Sequence, residues 1–159
     1  MKKKILFICL GNICRSPAAE EVFRNIVHHH GTENQFEIDS AGLIDFHKGE
    51  LADPRMRQCA QKRGYRLTHR SRPITAKDFR HFDYLIAMDA DNIKQLKQKS
   101  PQPELQKKII PLADFLTHHK ALLIPDPYYG HEKDFVYVID LLEDACSHLY
   151  ESLTGNMSK

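Results

Sequence analysis

Residues 5–17 read ILFICLGNICRSP: an apolar run ends at Cys9, Gly11 and Asn12 interrupt it, and Ser16-Pro17 opens a new element. Ile5 to Cys9 is apolar at every position rather than every second one, which marks a strand covered on both faces by helices. Ser16 suits a helix N-cap, and Pro17 suits the first helical position, where a missing N–H breaks no hydrogen bond. The helix that follows puts Ala19, Val22, Phe23, Ile26 and Val27 on one face. The unit is a buried strand, a short loop and a helix.

The rest of the chain repeats that grammar. Phe82 to Met88 (FDYLIAM) is a second apolar run, and Phe36 to Ala41 and Lys108 to Pro111 are shorter strand candidates. Asp53-Pro54 opens a second helix, with Met56, Cys59 and Ala60 inward and Gly64 as its stop. Thr75 opens a short turn, and Asp91 to Lys99 forms a polar surface helix halted by Ser100-Pro101. From Glu132 to Leu153, the residues Phe135, Val138, Ile139, Leu142, Cys146, Leu149 and Leu153 form one stripe that must pack on the sheet, and Gly155 ends it. Strands alternating with helices predict an α/β fold with a parallel sheet and right-handed crossovers, whose ligand sits at the carboxyl ends of the strands, just after Cys9.

No internal repeat interrupts the 159 residues, so a single domain is expected over 1–159. Apolar residues at 42% and charged residues at 28% exclude disorder and fibrous repeats. The formal charge of +2 argues against nucleic acid as the partner. Cysteines at 9, 14, 59 and 146 lack the density of a disulfide scaffold and the pairing of a zinc ribbon. No apolar run reaches the roughly 18 residues of a membrane span, and a reducing, cytoplasmic setting is expected.

Residues 9–16, CLGNICRS, are suited to holding an anion. Gly11 and Asn12 can take positive φ, successive N–H groups can turn to one centre, and the helix start adds its positive dipole end. The spacing of a nucleotide P-loop is absent. Cys9 opens this loop, where a helix start and an arginine favour the thiolate. Arg15 can hold two phosphate oxygens with its planar fork. A thiolate attacking a phosphate ester needs an acid for the leaving oxygen, and Asp126, flanked by Pro125 and Pro127, is a rigidly held candidate. Tyr128, Tyr129 and Phe46 can cover a flat ring. The bland alternatives are a buried strand cysteine, a simple Pro-Asp-Pro turn and an ordinary loop anchor at Phe46.

The stretch CLGNICRSPAAEEVF, with DSAG at 39–42, DPR at 53–55, FDYLIAMD at 82–89 and DPYYG at 126–130, resembles the low-molecular-weight protein tyrosine phosphatases. The resemblance implies a single-domain, three-layer α/β sandwich with a four-stranded parallel sheet and a phosphate-binding loop after the first strand. It implies a hydrolase acting through a cysteinyl phosphate, with Cys9 and Arg15 catalytic and Asp126 as general acid and base. Substrate contacts fall to Leu10, Gly11, Asn12, Ile13, Cys14, Phe46, Tyr128 and Tyr129, and support to Ser16, Ser40 and His69. Family members often carry tryptophan where Phe46 stands. No cofactor and no metal are implied, and His28-His29-His30 and His118-His119 read as solvated ends. The expected partner is a tyrosine-phosphorylated protein, such as a tyrosine kinase, with no nucleic acid or membrane and with the chain as a monomer or weak dimer. Cys14 is implied as a redox partner of Cys9, or else packs as a small apolar residue. An arsenate reductase shares the loop but needs a third relay cysteine, and phosphoarginine phosphatases carry a smaller, hydroxyl-bearing residue at the place of Ile13. A phosphate-binding module without turnover would not need Cys9, Arg15 and Asp126 together.

Overall fold

The computed structural model describes residues 1–155; residues 156–159, counted in the expected domain, lie outside the described residues. Four strands, β1 (Lys3–Cys9), β2 (Phe36–Gly42), β3 (Tyr84–Ala87) and β4 (Ile109–Pro111), form one sheet in the order β2-β1-β3-β4. Every neighbouring pair is parallel, with Ile8 beside both Ala41 and Ala87. Six helices connect or flank them: α1 (Arg15–His29), α2 (Pro54–Gln61), α3 (Ala76–His81), α4 (Ala90–Lys99), α5 (Pro103–Gln106) and α6 (Glu132–Thr154). No helix among the described residues is long and apolar enough to cross a membrane.

The continuous apolar character of β1 reflects its place between two layers. Ile5, Phe7 and Cys9 face a core shared with Phe23 of α1, Met56 of α2 and Phe135 of α6. Leu6 and Ile8 face the other layer, with Phe79 of α3 and Leu96 of α4. Ile5 through Ile8 are fully buried, so each strand face contributes roughly 1.5–3 kcal/mol per large side chain. The sheet winds outward from β1 in both directions, so the loops after β1 and β3 part at its carboxyl end and leave a crevice there.

Several boundaries differ from expectation. Helix α1 begins at Arg15 with Cys14 at its N-cap position and no side-chain cap, so Ser16 lies inside the helix. Its hydroxyl is drawn instead to Asn12 and Cys9. Phe82 and Asp83 fall outside β3 because Phe82 closes α3. Thr75 begins a full capping box with Asp78, and α4 starts one residue early under an Asp89 cap. Asp53 caps α2 as the Asp-Pro pair suggests, accepting from the Arg55 N–H at 2.8 Å. Gly155, at φ 74°, ends α6.

Asp78 links α3 to the loop behind the crevice, because its carboxylate accepts from the Thr75 N–H and from both ends of the Arg72 guanidinium. Burial opposes its charge, but Arg72 and Thr75 outweigh that and hold its pKa below the ordinary aspartate range. A carboxylate lowered on folding stabilises the protein above its unfolded pKa of about 3.9, and that contribution is lost as pH falls through the lower folded value. Asp78→Ala should therefore destabilise the fold by ~1–3 kcal/mol at pH 7. Urea titrations should show the gap from the parent narrowing below about pH 4.

Candidate active site

Cys9 ends β1, and its sulfur is the focus of the loop that follows. The Ser16 hydroxyl lies 3.0 Å from Sγ, and the Ser16 N–H donates to it at 3.4 Å. The Asn12 amide nitrogen donates to that hydroxyl oxygen at 2.7 Å, which leaves the hydroxyl proton free to point at sulfur. Two donors from one residue thus converge on the sulfur. Among the described residues, the N–H groups of Gly11, Asn12, Ile13 and Cys14 make no intrachain hydrogen bond. They are the open donors of an anion cradle at a helix start whose cap position carries no side-chain oxygen.

The loop keeps this shape through Asn12, which sits at φ 57°, a left-handed conformation that non-glycine residues adopt only when held. Its amide nitrogen also donates to the Ser40 hydroxyl at 3.1 Å, and its amide oxygen accepts from His69 Nε2 at 2.8 Å and the Arg72 N–H at 3.1 Å. Ser40 in turn donates to the buried Glu20 carboxylate at 2.7 Å. Ser16, Ser40 and His69 thus meet at one residue. Asn12, expected to touch substrate, turns its side chain away from the cleft and is 1% exposed. The Ser71 hydroxyl holds the Gly11 carbonyl, and the Asp53 N–H holds that of Ile13. Gly42 at the end of β2 passes so close that an added Cβ would lie 3.0 Å from the Leu10 oxygen.

Arg15 is buried beside the cradle. Its Nη1 donates to Asp89 Oδ2 at 2.6 Å and to the Ile124 carbonyl at 3.0 Å, while Nη2 stands 3.7 Å from Asp126. Burial opposes its charge, but Cys9, Asp89 and Asp126 hold its pKa above the ordinary arginine value. Asp126 is exposed, and its Oδ1 accepts from the Tyr128 N–H at 3.1 Å. Cys9, Leu10, Gly11, Ile13, Cys14 and Arg15 form the floor of a cleft whose walls are Ile44, Phe46, His47, Asp126, Tyr128 and Tyr129. Phe46 and Tyr129 stand out at its rim, 74% and 95% exposed. Arg55 links the two sides, paired with Asp53 and lying 5.4 Å over the Tyr128 ring.

A strand-end cysteine ringed by free amides, with an arginine and a carboxylate at one cleft, matches a known family. The model of the low molecular weight phosphotyrosine protein phosphatases matches residues 4–159. The chain belongs to that family. It is similar to the low molecular weight phosphotyrosine protein phosphatases of Gallus gallus, at 43% identity over 94% of each chain, and Homo sapiens, at 39% over 94% of each. The solved structure of a protein tyrosine phosphatase from Entamoeba histolytica with Hepes in the active site overlays at a TM-score of 0.94, with 44% identity and coverage of 99% of this chain and 100% of that one. The family's single-domain, four-stranded parallel α/β architecture is the one described above.

Several contributors at this phosphatase site escaped the sequence, Asp89, Glu20 and His47 among them. Asp89 lies in FDYLIAMD, but nothing in one sequence pairs it with Arg15, 74 positions away. Glu20 sits at the inward edge of a helix, where a lone carboxylate reads as surface. His47 stacks on Phe46 with ring centroids 4.8 Å apart. Glu20, Asp39 and His69 also converge within ligand distance of one another, but His69 and Ser40 already tie this group to Asn12.

Because Asp89 holds Arg15 through a charge-assisted bond of a kind contributing about 1.5–3 kcal/mol, Asp89→Ala should lower kcat/KM for an aryl phosphate about 10–100-fold. Steady-state kinetics beside circular dichroism would separate this from unfolding. A variant folded and fully active would show that Arg15 needs no anchor.

Proposed function

We propose that this family member hydrolyses phosphotyrosine in proteins, with Cys9 as nucleophile, Arg15 as the phosphate clamp and Asp126 as general acid and then base. The observation that supports this most directly is the Cys9 sulfur, which takes two donors from Ser16 at the floor of a cleft ringed by four unpaired N–H groups. The thiolate attacks phosphorus and the P–O bond to the aryl group breaks, with Asp126 giving its proton to the departing phenolate oxygen. Asp126, now a carboxylate, takes a proton from water. The resulting oxygen attacks phosphorus, the S–P bond breaks, and phosphate leaves with the thiolate restored.

Tyrosine is favoured by the lining of the cleft. A phenyl ring standing on the cradle would lie between Phe46 and Tyr129 at the rim and against Ile13 below. Ile13 offers an apolar surface where a guanidino group would need a hydrogen-bonding partner. Any tyrosine-phosphorylated protein that presents its ring to this rim, an autophosphorylated kinase among them, fits the chemistry. A thiol nucleophile also requires a reducing compartment, which supports the cytoplasm as its setting.

Cys9→Ser should abolish turnover. Asp126→Asn should slow hydrolysis of phenyl phosphates by roughly 10²–10⁴-fold, the general-acid range. Across a series of leaving groups the penalty should shrink as leaving-group pKa falls. Equal slowing throughout the series would refute the acid role.

Redox sensitivity belongs to the same reading. Burial, followed by the charges of Cys9, Asp53 and Asp126, pushes the Cys14 thiol well above its ordinary pKa despite Arg55. Cys14 is thus held as a neutral thiol beside the nucleophile. After peroxide converts Cys9 to a sulfenic acid, the Cys14 sulfur can displace hydroxide as water, closing a disulfide. Peroxide inactivation should be reversible by thiol reductant in the parent and irreversible in Cys14→Ser. Full recovery of Cys14→Ser would overturn the protective role.

A further inference from the structure

A second group of metal-ligating side chains lies outside the phosphate cleft. Asp144 and His148 stand one turn apart on α6, and His118 comes from the turn at 117–119 that packs against that helix. A ring nitrogen of each histidine and a carboxylate oxygen all lie within 4.8 Å of one another. The sequence hides this group because His118 and His148 are separated by most of the acid-bearing loop and half of α6.

Each member is prepared for a cation. The Asp144 side chain is 2% exposed, and no lysine or arginine among the described residues pairs with it. The N–H groups of Thr117, His118 and His119 and the His119 ring donate to its carboxylate, which fixes it in place. Its Oδ1 has the Thr117 hydroxyl at 3.0 Å, the Thr117 N–H at 3.3 Å and His148 Nδ1 at 3.2 Å.

His148 Nδ1 lies 2.8 Å from the Asp144 backbone carbonyl, which can only accept, so Nδ1 carries the proton and Nε2 keeps its lone pair. Thr117 Oγ1 lies 3.3 and 3.2 Å from the two ring nitrogens and gives its own proton to Asp144 Oδ1. A carbonyl on the far nitrogen is how proteins orient metal-bound imidazoles. His118 is exposed, so its ring can swing inward at little cost and the group is open to solvent.

We propose that His118 and His148, with the Asp144 carboxylate, bind one divalent cation of the zinc class, water completing its shell. Two imidazoles and a carboxylate suit zinc, nickel or copper, whereas magnesium and calcium prefer all-oxygen sets. The ion joins the 117–119 turn to α6 and stabilises the folded chain by mass action.

Zinc chloride titrated calorimetrically into the EDTA-treated full chain tests this. The Cys9→Ser variant serves as background, because it removes the thiol that would compete for zinc. One ion per chain should bind, and zinc at a hundredfold excess over Kd should raise the melting temperature by about 5–10 °C. His118→Ala, an exposed change that spares the fold, and His148→Ala should each weaken binding at least about tenfold, while His28→Ala leaves it unchanged. Cobalt bound in place of zinc should show visible d–d bands that His118→Ala removes. Absent saturable binding, parental affinity in both histidine variants, or equal competition by magnesium would overturn the site.

Discussion

Everything at the phosphate site depends on one side-chain amide. Asn12 occupies a left-handed conformation that costs roughly 1–3 kcal/mol for a residue with a Cβ, and four hydrogen bonds of roughly 0.5–1.5 kcal/mol each more than offset it. The bonds come from α1, β2 and the 69–72 segment, so the loop takes its shape only when sheet and helix are assembled. The same amide sets a direction of polarity. Its N–H groups fill the lone pairs of Ser16 and Ser40, so that Ser40 must donate to Glu20 and Ser16 to the Cys9 sulfur. A conformational lock thereby also aims a donor at the Cys9 sulfur.

Charge balance bears on the acid role proposed for Asp126. Arg15 is the one lysine or arginine lining the cleft among the described residues, and it already faces Asp89 and Asp126. A phosphate dianion entering beside a thiolate would meet more negative charge than one guanidinium can balance. In the proposed mechanism Asp126 enters as the neutral acid, which removes one charge and brings the proton that the leaving group needs. Asp89, holding Nη1, leaves the outer edge of the guanidinium for the anion. Two carboxylates flank one arginine, one as an anchor and one as a reagent, and their exposure separates them: Asp89 is 21% exposed at the side chain and Asp126 43%.

Much of the fold was legible in the sequence because burial leaves a one-dimensional trace. The unbroken apolar run at 5–9 marked the central strand, and the stripe from Phe135 to Leu149 marked the long helix. Short elements were less visible. Residues 103–106 form a helical turn that Pro101 and Pro103 disguise as loop, and β4 is only three residues long. At the site, Cys9 and Arg15 were legible because one stretch of seven residues, 9–15, holds both. The pairing of Arg15 with Asp89 was not, since a lone aspartate after a strand looks like any helix cap, which Asp89 also is. Ser16 misled for the same reason in reverse: its type suits a cap, but Asn12 and Cys9 compete for its hydroxyl and win.

The two thiols of the loop show how five residues suffice to separate chemistry. Cys9 and Cys14 are both nearly buried, 3% and 4% exposed. Cys9 receives a hydroxyl and an N–H, whereas Cys14 faces the carboxylates of Asp53 and Asp126 and the sulfur of Cys9 itself. Burial, followed by the neighbouring charges, keeps the second sulfur a thiol, whereas the first sits among donors. The two sulfurs are therefore distinguished by the turn of the backbone between them, which Asn12 holds.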